Sequence, residues 1–154
     1  MPIEGFSGNT TLTGITSATT FSGWDVTDPY YTSASFNAVT GEYIIPTTGR
    51  YLIEAIINFE TAAPIAISLG AGVDPEFVVT RTAPVVTDLL SGLLPVLNVN
   101  VALLTLRAVL GNGSVTISGE VELTAGDSIE LQYVDDGLTL ALDFQAYWSI
   151  NQVS

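Results

Sequence analysis

Apolar and polar residues alternate with a period of two along much of this chain. Every second position is apolar or glycine from 115 to 123 and apolar from 129 to 133, mostly with Thr, Ser, Glu and Gln between. A similar alternation runs from 51 to 60, and a row of alternate apolar residues extends from Leu138 to Ile150. Because successive side chains of a strand point to opposite faces, this pattern predicts half-buried β-strands. No segment shows the periodicity of an amphipathic helix.

Turn sequences separate the predicted strands. Asp136-Gly137 is typical of a two-residue hairpin turn, and Thr40-Gly41 and Gly126-Asp127 also indicate turns. About ten short strands with frequent turns predict an all-β sandwich or barrel. The other expected elements are strands at 63–69, 76–81 and 96–109 and a loop at 82–92.

The length of 154 residues suits one domain. The segment from Gly5 to Thr20 is rich in Gly, Thr and Ser, so residues 1–20 are expected to be extended and partly mobile. Residues 21–154 are then expected to form the domain.

The chain is more apolar and less charged than a small soluble domain normally is. Hydrophobic residues make up 47%, the mean hydropathy is +0.47, and charged residues make up 12%, against about 25% in an average domain. Apolar surface that one copy cannot bury is expected to contact other copies of the chain. The alternative is a monomer with a coat rich in Thr and Ser.

Charge and missing residue types exclude several functions. Sixteen acidic residues and three arginines give a net charge of −13, which repels phosphate groups and makes nucleic acid and anionic membranes unexpected partners. Cys and His are absent, so disulfides, Cys/His zinc sites and the usual catalytic triads are excluded. We therefore predict no catalytic residues and no enzymatic activity. The apolar stretch 93–110 contains Arg107, which favours a buried strand over insertion into a membrane.

Part of the sequence resembles the superfamily of complement C1q and tumour necrosis factor. The resemblance extends from about Phe21 to Ile150. It rests on an ordered set of aromatic, glycine and proline positions: Phe36, Gly41, Tyr43, Pro46, Gly49, Tyr51, Phe59, Leu123, Gly126, Asp127, Leu131 and Phe144. Six of these are expected to fill the core between two sheets: Phe36, Tyr43, Tyr51, Phe59, Leu131 and Phe144.

The resemblance implies a ten-stranded jelly roll of two antiparallel sheets that forms a homotrimer. In bacteria, similar domains lie at the tips of collagen-like filament proteins, including glycoproteins of the exosporium of Bacillus-type spores. An extracellular or spore-surface location follows from the same resemblance. This chain departs from that pattern because it has no Gly-X-Y repeat and carries an apolar insert at 85–110.

The expected trimer interface centres on the apolar strand at 96–109. One face of that strand can fill the sandwich, and the other needs cover from a neighbouring copy or from a loop or strand of the same chain. Because side chains alternate between the two faces of a strand, one member of the pair Tyr147-Trp148 on the expected strand 138–150 must point outward. The candidate interface residues are Val99, Val101, Leu103, Leu104, Leu106, Tyr147 and Trp148.

Two kinds of ligand remain open alternatives. Asp135 and Asp136 form an acidic pair on an expected loop, and calcium prefers such oxygen ligands, although the pattern favours solvated loop carboxylates over a calcium site. A trimeric recognition module that binds a surface receptor or carbohydrate is the alternative to a purely structural role. In that case, exposed aromatic residues such as Trp24, Tyr30 and Tyr31 would stack on sugar rings.

Overall fold

A computed structural model describes residues 4–61, 72–101 and 104–154, and the side chains of all of these except 98–101 and 104–108. The described residues form twelve strands and no helix. The strands are β1 (Gly5–Ile15), β2 (Thr19–Thr20), β3 (Phe36–Asn37), β4 (Glu42–Ile44), β5 (Gly49–Thr61), β6 (Glu76–Ala83), β7 (Thr87–Leu93), β8 (Val96–Val101), β9 (Leu104–Val109), β10 (Asn112–Leu123), β11 (Ser128–Val134) and β12 (Leu142–Gln152).

Two antiparallel sheets make up the sandwich. The first has four long strands in the order β1-β12-β5-β10. The second has the order β3-β4-β11-β6-β7, with β2 also paired to β11. Strands β8 and β9 pair only with each other in the described residues. The predicted all-β jelly roll of two antiparallel sheets is therefore confirmed.

Aromatic side chains from both sheets fill the space between them. Phe6 stacks on Phe36 with ring centroids 3.7 Å apart and meets Trp148 edge-on at 4.9 Å. Phe77 of the second sheet meets Phe144 of the first edge-on at 5.3 Å. The six positions expected in the core are all buried, none more than 7% exposed. Such rings bury large apolar areas and contribute more than their area alone through edge-to-face contacts.

The N-terminal boundary expected at residue 21 is wrong. Strand β1 pairs with β12 from Gly5↔Asn151 to Ile15↔Leu142, and Phe6 is fully buried in the core. Its inward positions are Phe6, Gly8, Thr10 and Leu12, so two of the four are not apolar. The alternation was therefore too weak to reveal a strand that belongs to the sandwich.

Two further expectations need correction. Residues 82–92, expected as a loop, contain β7, which pairs antiparallel with β6. The single strand expected at 96–109 is instead the hairpin β8-β9, with Val96 opposite Val109. A continuous apolar run without Gly, Pro or Asp at its reversal point gives no sequence signal for such a turn. The strand expected at 63–69 lies outside the described residues.

The turn at Asp136-Gly137 forms but does not make a hairpin. Both residues have positive φ, 47° and 91°, and Leu138 N–H donates to Asp135 O at 2.9 Å. The flanking strands β11 and β12 belong to different sheets. The chain therefore crosses between sheets here, and buried Leu138 lies on the crossing segment.

We expect Phe6→Ala to lower the free energy of unfolding by about 3–5 kcal/mol, since the change leaves a cavity among Phe36, Tyr43 and Trp148. Thr13→Ala on the exposed part of β1 is the control, and its effect should stay within about 0.5 kcal/mol. Urea unfolding measures both. Equal, small effects would contradict the assignment of β1 to the core.

Two buried tyrosines provide a second test. Tyr43 Oη–H donates to Glu4 Oε1 at 3.0 Å, whereas the buried Tyr133 hydroxyl has no hydrogen-bond partner among the described residues. At pH 7 we expect Tyr133→Phe to be neutral or stabilising, and Tyr43→Phe to cost about 1–3 kcal/mol, because it leaves a buried network unsatisfied.

The same pair predicts a pH dependence. Burial raises the pKa of both phenols in the folded protein, so only the unfolded chain ionises them as pH rises past about 10. The free energy of unfolding should therefore fall above that pH, and fall less steeply in Tyr133→Phe. Urea unfolding at several alkaline pH values checks this, and an unchanged slope in the variant would contradict it.

A neutral face on the four-stranded sheet

The outer face of the four-stranded sheet presents side chains in rows that cross all four strands. In one row Asn9 lies opposite Tyr147, Tyr147 opposite Ile56, and Ile56 opposite Thr116. The next row is Thr11, Gln145, Asn58 and Ser114 in the same registers. We call these eight residues the neutral face.

The neutral face lacks charge in a protein of net charge −13. Ile56 is 41% exposed at its centre, beside the half-buried Tyr147, whose ring lies 6.5 Å from that of Tyr30. Within the described part of the chain, none of the eight side chains makes a hydrogen bond. Donors and acceptors are thus available here to another molecule, next to an exposed apolar centre.

The outer face of the six-stranded sheet is different. Its carboxylates accept hydrogen bonds from neighbouring strands: Glu42 from Ser128 Oγ at 2.7 Å, and Asp88 from Thr80 Oγ1 at 3.2 Å. Glu130 accepts from both Thr20 and Gln132. This face combines charge with satisfied polar groups, as a solvent-facing sheet does.

Charged residues border the neutral face at both ends. At one end Glu60 lies directly opposite Asp143, and at the other the adjacent row contains the exposed Glu54. Further along the sheet Arg50 pairs with Glu122 at 3.8 Å in an exposed contact. A charge-depleted centre containing Tyr, surrounded by a charged and polar rim, is the typical composition of a protein–protein interface.

The first described residues, Glu4 and Gly5, and the C-terminal Ser154 lie at one end of this sheet, which we call the basal end. Gly5 pairs with Asn151, Gln152 N–H donates to Glu4 O at 3.0 Å, and Arg50 N–H donates to Ser154 O at 3.0 Å. The opposite, distal end carries Asn112, Glu60 and Asp143.

A cavity of about 540 Å³ lies at the distal end of the face. Strands β1, β5, β10 and β12 all contribute to its lining. Its polar side chains include Asn58, Glu60, Asn112, Asp143 and Gln145. Of these, only Asp143 has a hydrogen bond in the described structure, accepted by Oδ1 from Gly14 N–H at 2.8 Å.

The structure corrects one residue of the expected interface. Trp148 points into the core and is 1% exposed, so it has no surface with which to contact another subunit. Tyr147 points outward, as the alternation requires, and its contact with another copy stays a prediction. Leu103 lies outside the described residues, as do the side chains of Val99, Val101, Leu104 and Leu106.

The ligand candidates from sequence are not assembled into one site. Asp135 Oδ2 accepts from Gly137 N–H at 3.0 Å, and Asp136 Oδ2 accepts from Asp74 N–H at 3.0 Å. Among described residues, no three Asp, Glu, His or Cys side chains group in a way that could hold a metal ion. Calcium therefore stays a prediction without a built site. Trp24 is buried, and its Nε1–H donates to Phe21 O, so its ring is not available for stacking on a sugar.

Sequence reasoning missed Ile56 and the rows around it. Ile56 occurs on the side of β5 that also carries the half-buried Leu52, and its neighbours on that side are Glu54 and Asn58, followed by Glu60. An apolar residue among polar ones on a solvent-facing row was a usable signal. The rows themselves depend on strand register, which one strand's pattern does not contain.

Comparison with known proteins gives structural matches only. No family model and no curated protein sequence matches the chain. Solved structures do match along nearly the whole length. Murine APRIL matches with a TM-score of 0.62 at 11% identity, covering 99% of this chain and 100% of that chain. The TNF protein Eiger of S. frugiperda matches with a TM-score of 0.60 at 13% identity, covering 100% of this chain and 94% of that one.

The globular domain of zebrafish complement 1qA matches with a TM-score of 0.52 at 14% identity, covering 95% of this chain and 94% of that one. The chain has the TNF and C1q fold. Identities this low show the fold alone. Within the described residues, no helix is long and apolar enough to cross a membrane.

The opposed carboxylates at the distal end give a direct test of the register. Like charges directly opposite on neighbouring strands destabilise a sheet, so Glu60→Gln should raise the free energy of unfolding by about 0.2–1 kcal/mol at low salt. Glu54→Gln is the control, because Glu54 lies opposite Ser118 and Ser149. Thermal unfolding at low and high salt measures both. An equal gain in the two variants would contradict the pairing of Glu60 with Asp143.

Proposed function

We propose that this domain is a non-enzymatic homotrimerising module that packs through the neutral face. The observation that supports this most directly is the face itself, in a strongly acidic chain. Its eight residues are uncharged, make no side-chain hydrogen bond in the described part of the chain, and include the exposed Ile56 at their centre. The stoichiometry of three comes from the resemblance to C1q and TNF domains, with which the chain shares its fold.

Contacts of two kinds would stabilise the assembly. Tyr147 and Ile56 supply apolar area, and Tyr carries its area on a stiff side chain that loses little conformational entropy. The surrounding Asn, Gln, Thr and Ser side chains supply donors and acceptors that pair without the cost of burying a charge. Placing the acidic face of the six-stranded sheet against a copy of itself would instead bring like charges together.

The position of the termini supports a role in chain registration. Glu4 and Ser154 lie at the basal end, beside strands of the sheet that we propose for assembly. Three chains packed through this sheet would present three N-termini at the same end. The domain would then hold three preceding chains in register and close the structure that they form.

The finer proposal is that the domain caps a filament on an extracellular or spore surface, as the tip of a collagen-like protein. The arrangement of the termini supports it, since a stalk would continue from the basal end and leave the distal end exposed. Gly-X-Y repeats directly upstream in the native gene product would be expected.

Ile56→Asp tests the interface. The change buries an unpaired charge at the centre of the neutral face in the trimer, but places it in solvent in a single chain. We expect light scattering after size-exclusion chromatography to give about 49 kDa for the native protein, three chains of 16.2 kDa. The variant should elute as a folded single chain of 16.2 kDa.

Ile44→Asp is the matched control. Ile44 is 47% exposed against 41% for Ile56, and it lies on the six-stranded sheet. This variant should keep the native mass. A native protein that is monomeric at micromolar concentration, or a loss of assembly in Ile44→Asp but not in Ile56→Asp, would contradict the proposal.

A further inference from the structure

The distal cavity has the properties of a ligand site rather than of a gap between side chains. Its volume of about 540 Å³ lies within the usual range of roughly 300–1,000 Å³ for small-molecule sites. All of its lining residues belong to one chain, so the cavity does not depend on assembly. It lies at the end of the sheet away from both termini.

The side chains around the cavity offer both donors and acceptors. Three amides, from Asn58, Asn112 and Gln145, each supply an NH₂ group and a carbonyl oxygen. Glu60 and Asp143 add carboxylate acceptors. The three amides and Glu60 make no hydrogen bond within the described part of the chain.

Regular strands hold these groups in place. Glu60 lies opposite both Asp143 and Asn112, and Asn58 lies opposite Gln145, so the five residues occupy two adjacent rows of three neighbouring strands. Sites built on strands keep their geometry better than sites built on loops. The polar groups are therefore positioned before a ligand arrives, which lowers the entropy cost of binding.

The chemistry of the lining selects among ligand classes. Two carboxylates and, among the described side chains, no basic one line the cavity, so phosphates and other anions are repelled. A calcium ion needs six to eight oxygens and would leave the amide NH₂ groups unused, and no group of three acidic residues is present in the described structure. A neutral ligand with many hydroxyls uses both halves of each amide and both carboxylates, because each hydroxyl donates and accepts.

We propose that the distal cavity binds a neutral saccharide, with the amides of Asn58, Asn112 and Gln145 and the carboxylates of Glu60 and Asp143 bonding to its hydroxyls. This site differs from the aromatic positions considered from sequence. It shares Asn58 and Gln145 with the neutral face, so in an assembled domain it requires that the copies leave this end of the face uncovered. On an assembled domain it would place three saccharide sites at the distal end.

Nuclear magnetic resonance of the isotopically labelled full chain tests the proposal. The methyl glycosides of glucose, galactose, mannose, N-acetylglucosamine, fucose and rhamnose are each titrated to about 50 mM, which detects dissociation constants in the millimolar range. We expect at least one glycoside to shift the side-chain amide signals of Asn58, Asn112 and Gln145 in a saturable way. Calcium chloride alone is titrated in a parallel sample.

Variants show whether the cavity is responsible. Asn112→Ala lies outside the neutral face and should weaken binding at least about tenfold without changing the mass of the assembly. Gln132→Ala removes an amide that donates to Glu130 on the other sheet, and it should bind as the native chain does. Thermal unfolding confirms that both variants are folded.

Three results would overturn the inference. The first is that no glycoside shifts these amides. The second is that glycosides shift signals only elsewhere, or bind equally well to Asn112→Ala. The third is that calcium alone shifts the cavity amides while no glycoside does, which would make this a metal site. Because binding is read at the cavity and assembly is read as a mass, failure of one leaves the other interpretable.

Discussion

The two sheets pack through a layer of aromatic rings, and this packing determines which side chains each strand places on the outer face of its sheet. On β5 and β12, Tyr51, Phe59, Phe144 and Trp148 must point inward to make the contacts that hold the sheets together. Since side chains alternate along a strand, the intervening residues are forced onto the outer face. Tyr147 and Ile56 are exposed or half-exposed because their neighbours are in the core, and the pairing of β12 with β5 places them side by side.

The outer faces of the two sheets therefore differ in their charge and in the hydrogen bonding of their side chains. On the six-stranded sheet, carboxylates accept hydrogen bonds from hydroxyl groups of neighbouring strands, so these polar groups are satisfied and charge faces solvent. On the four-stranded sheet the two rows of the neutral face carry no charge, and their side chains make no hydrogen bonds in the part of the chain that the structure describes. Exposing such a surface leaves its apolar centre in water, and covering it costs little because no charge needs to be desolvated. This difference is the physical basis for placing the assembly surface on the four-stranded sheet.

Much of the fold was predictable because the alternate apolar positions of a strand in the sequence are the positions that the folded protein buries. Tyr51, Leu131 and Phe144 lie on inward rows that the sequence displays directly, and all are buried. Strand β1 was missed because Gly8 and Thr10 occupy inward positions beside Phe6, which hides the apolar row. The β8-β9 hairpin was missed because an apolar run looks alike whether it continues or reverses.

The candidate site was less predictable than the core. The neutral face joins residues from positions 9, 56, 116 and 147, and only the register of three strand pairs brings them into one row. Tyr147 was found because alternation required one of two aromatic residues to face outward. The cavity at the distal end depends on the same register. It also requires that residues of β1, β5, β10 and β12 come together at that end of the sheet.

The central claim is that other copies of the chain cover the neutral face. Hydroxyl-radical footprinting of the native protein at micromolar concentration tests it residue by residue. The account predicts that Tyr147 and Ile56 are labelled far more slowly than their exposure in a single chain requires. Ile44 on the other sheet and Val39 in the turn between β3 and β4 should be labelled as exposed residues. Labelling of all four in proportion to their exposure in one chain would contradict it.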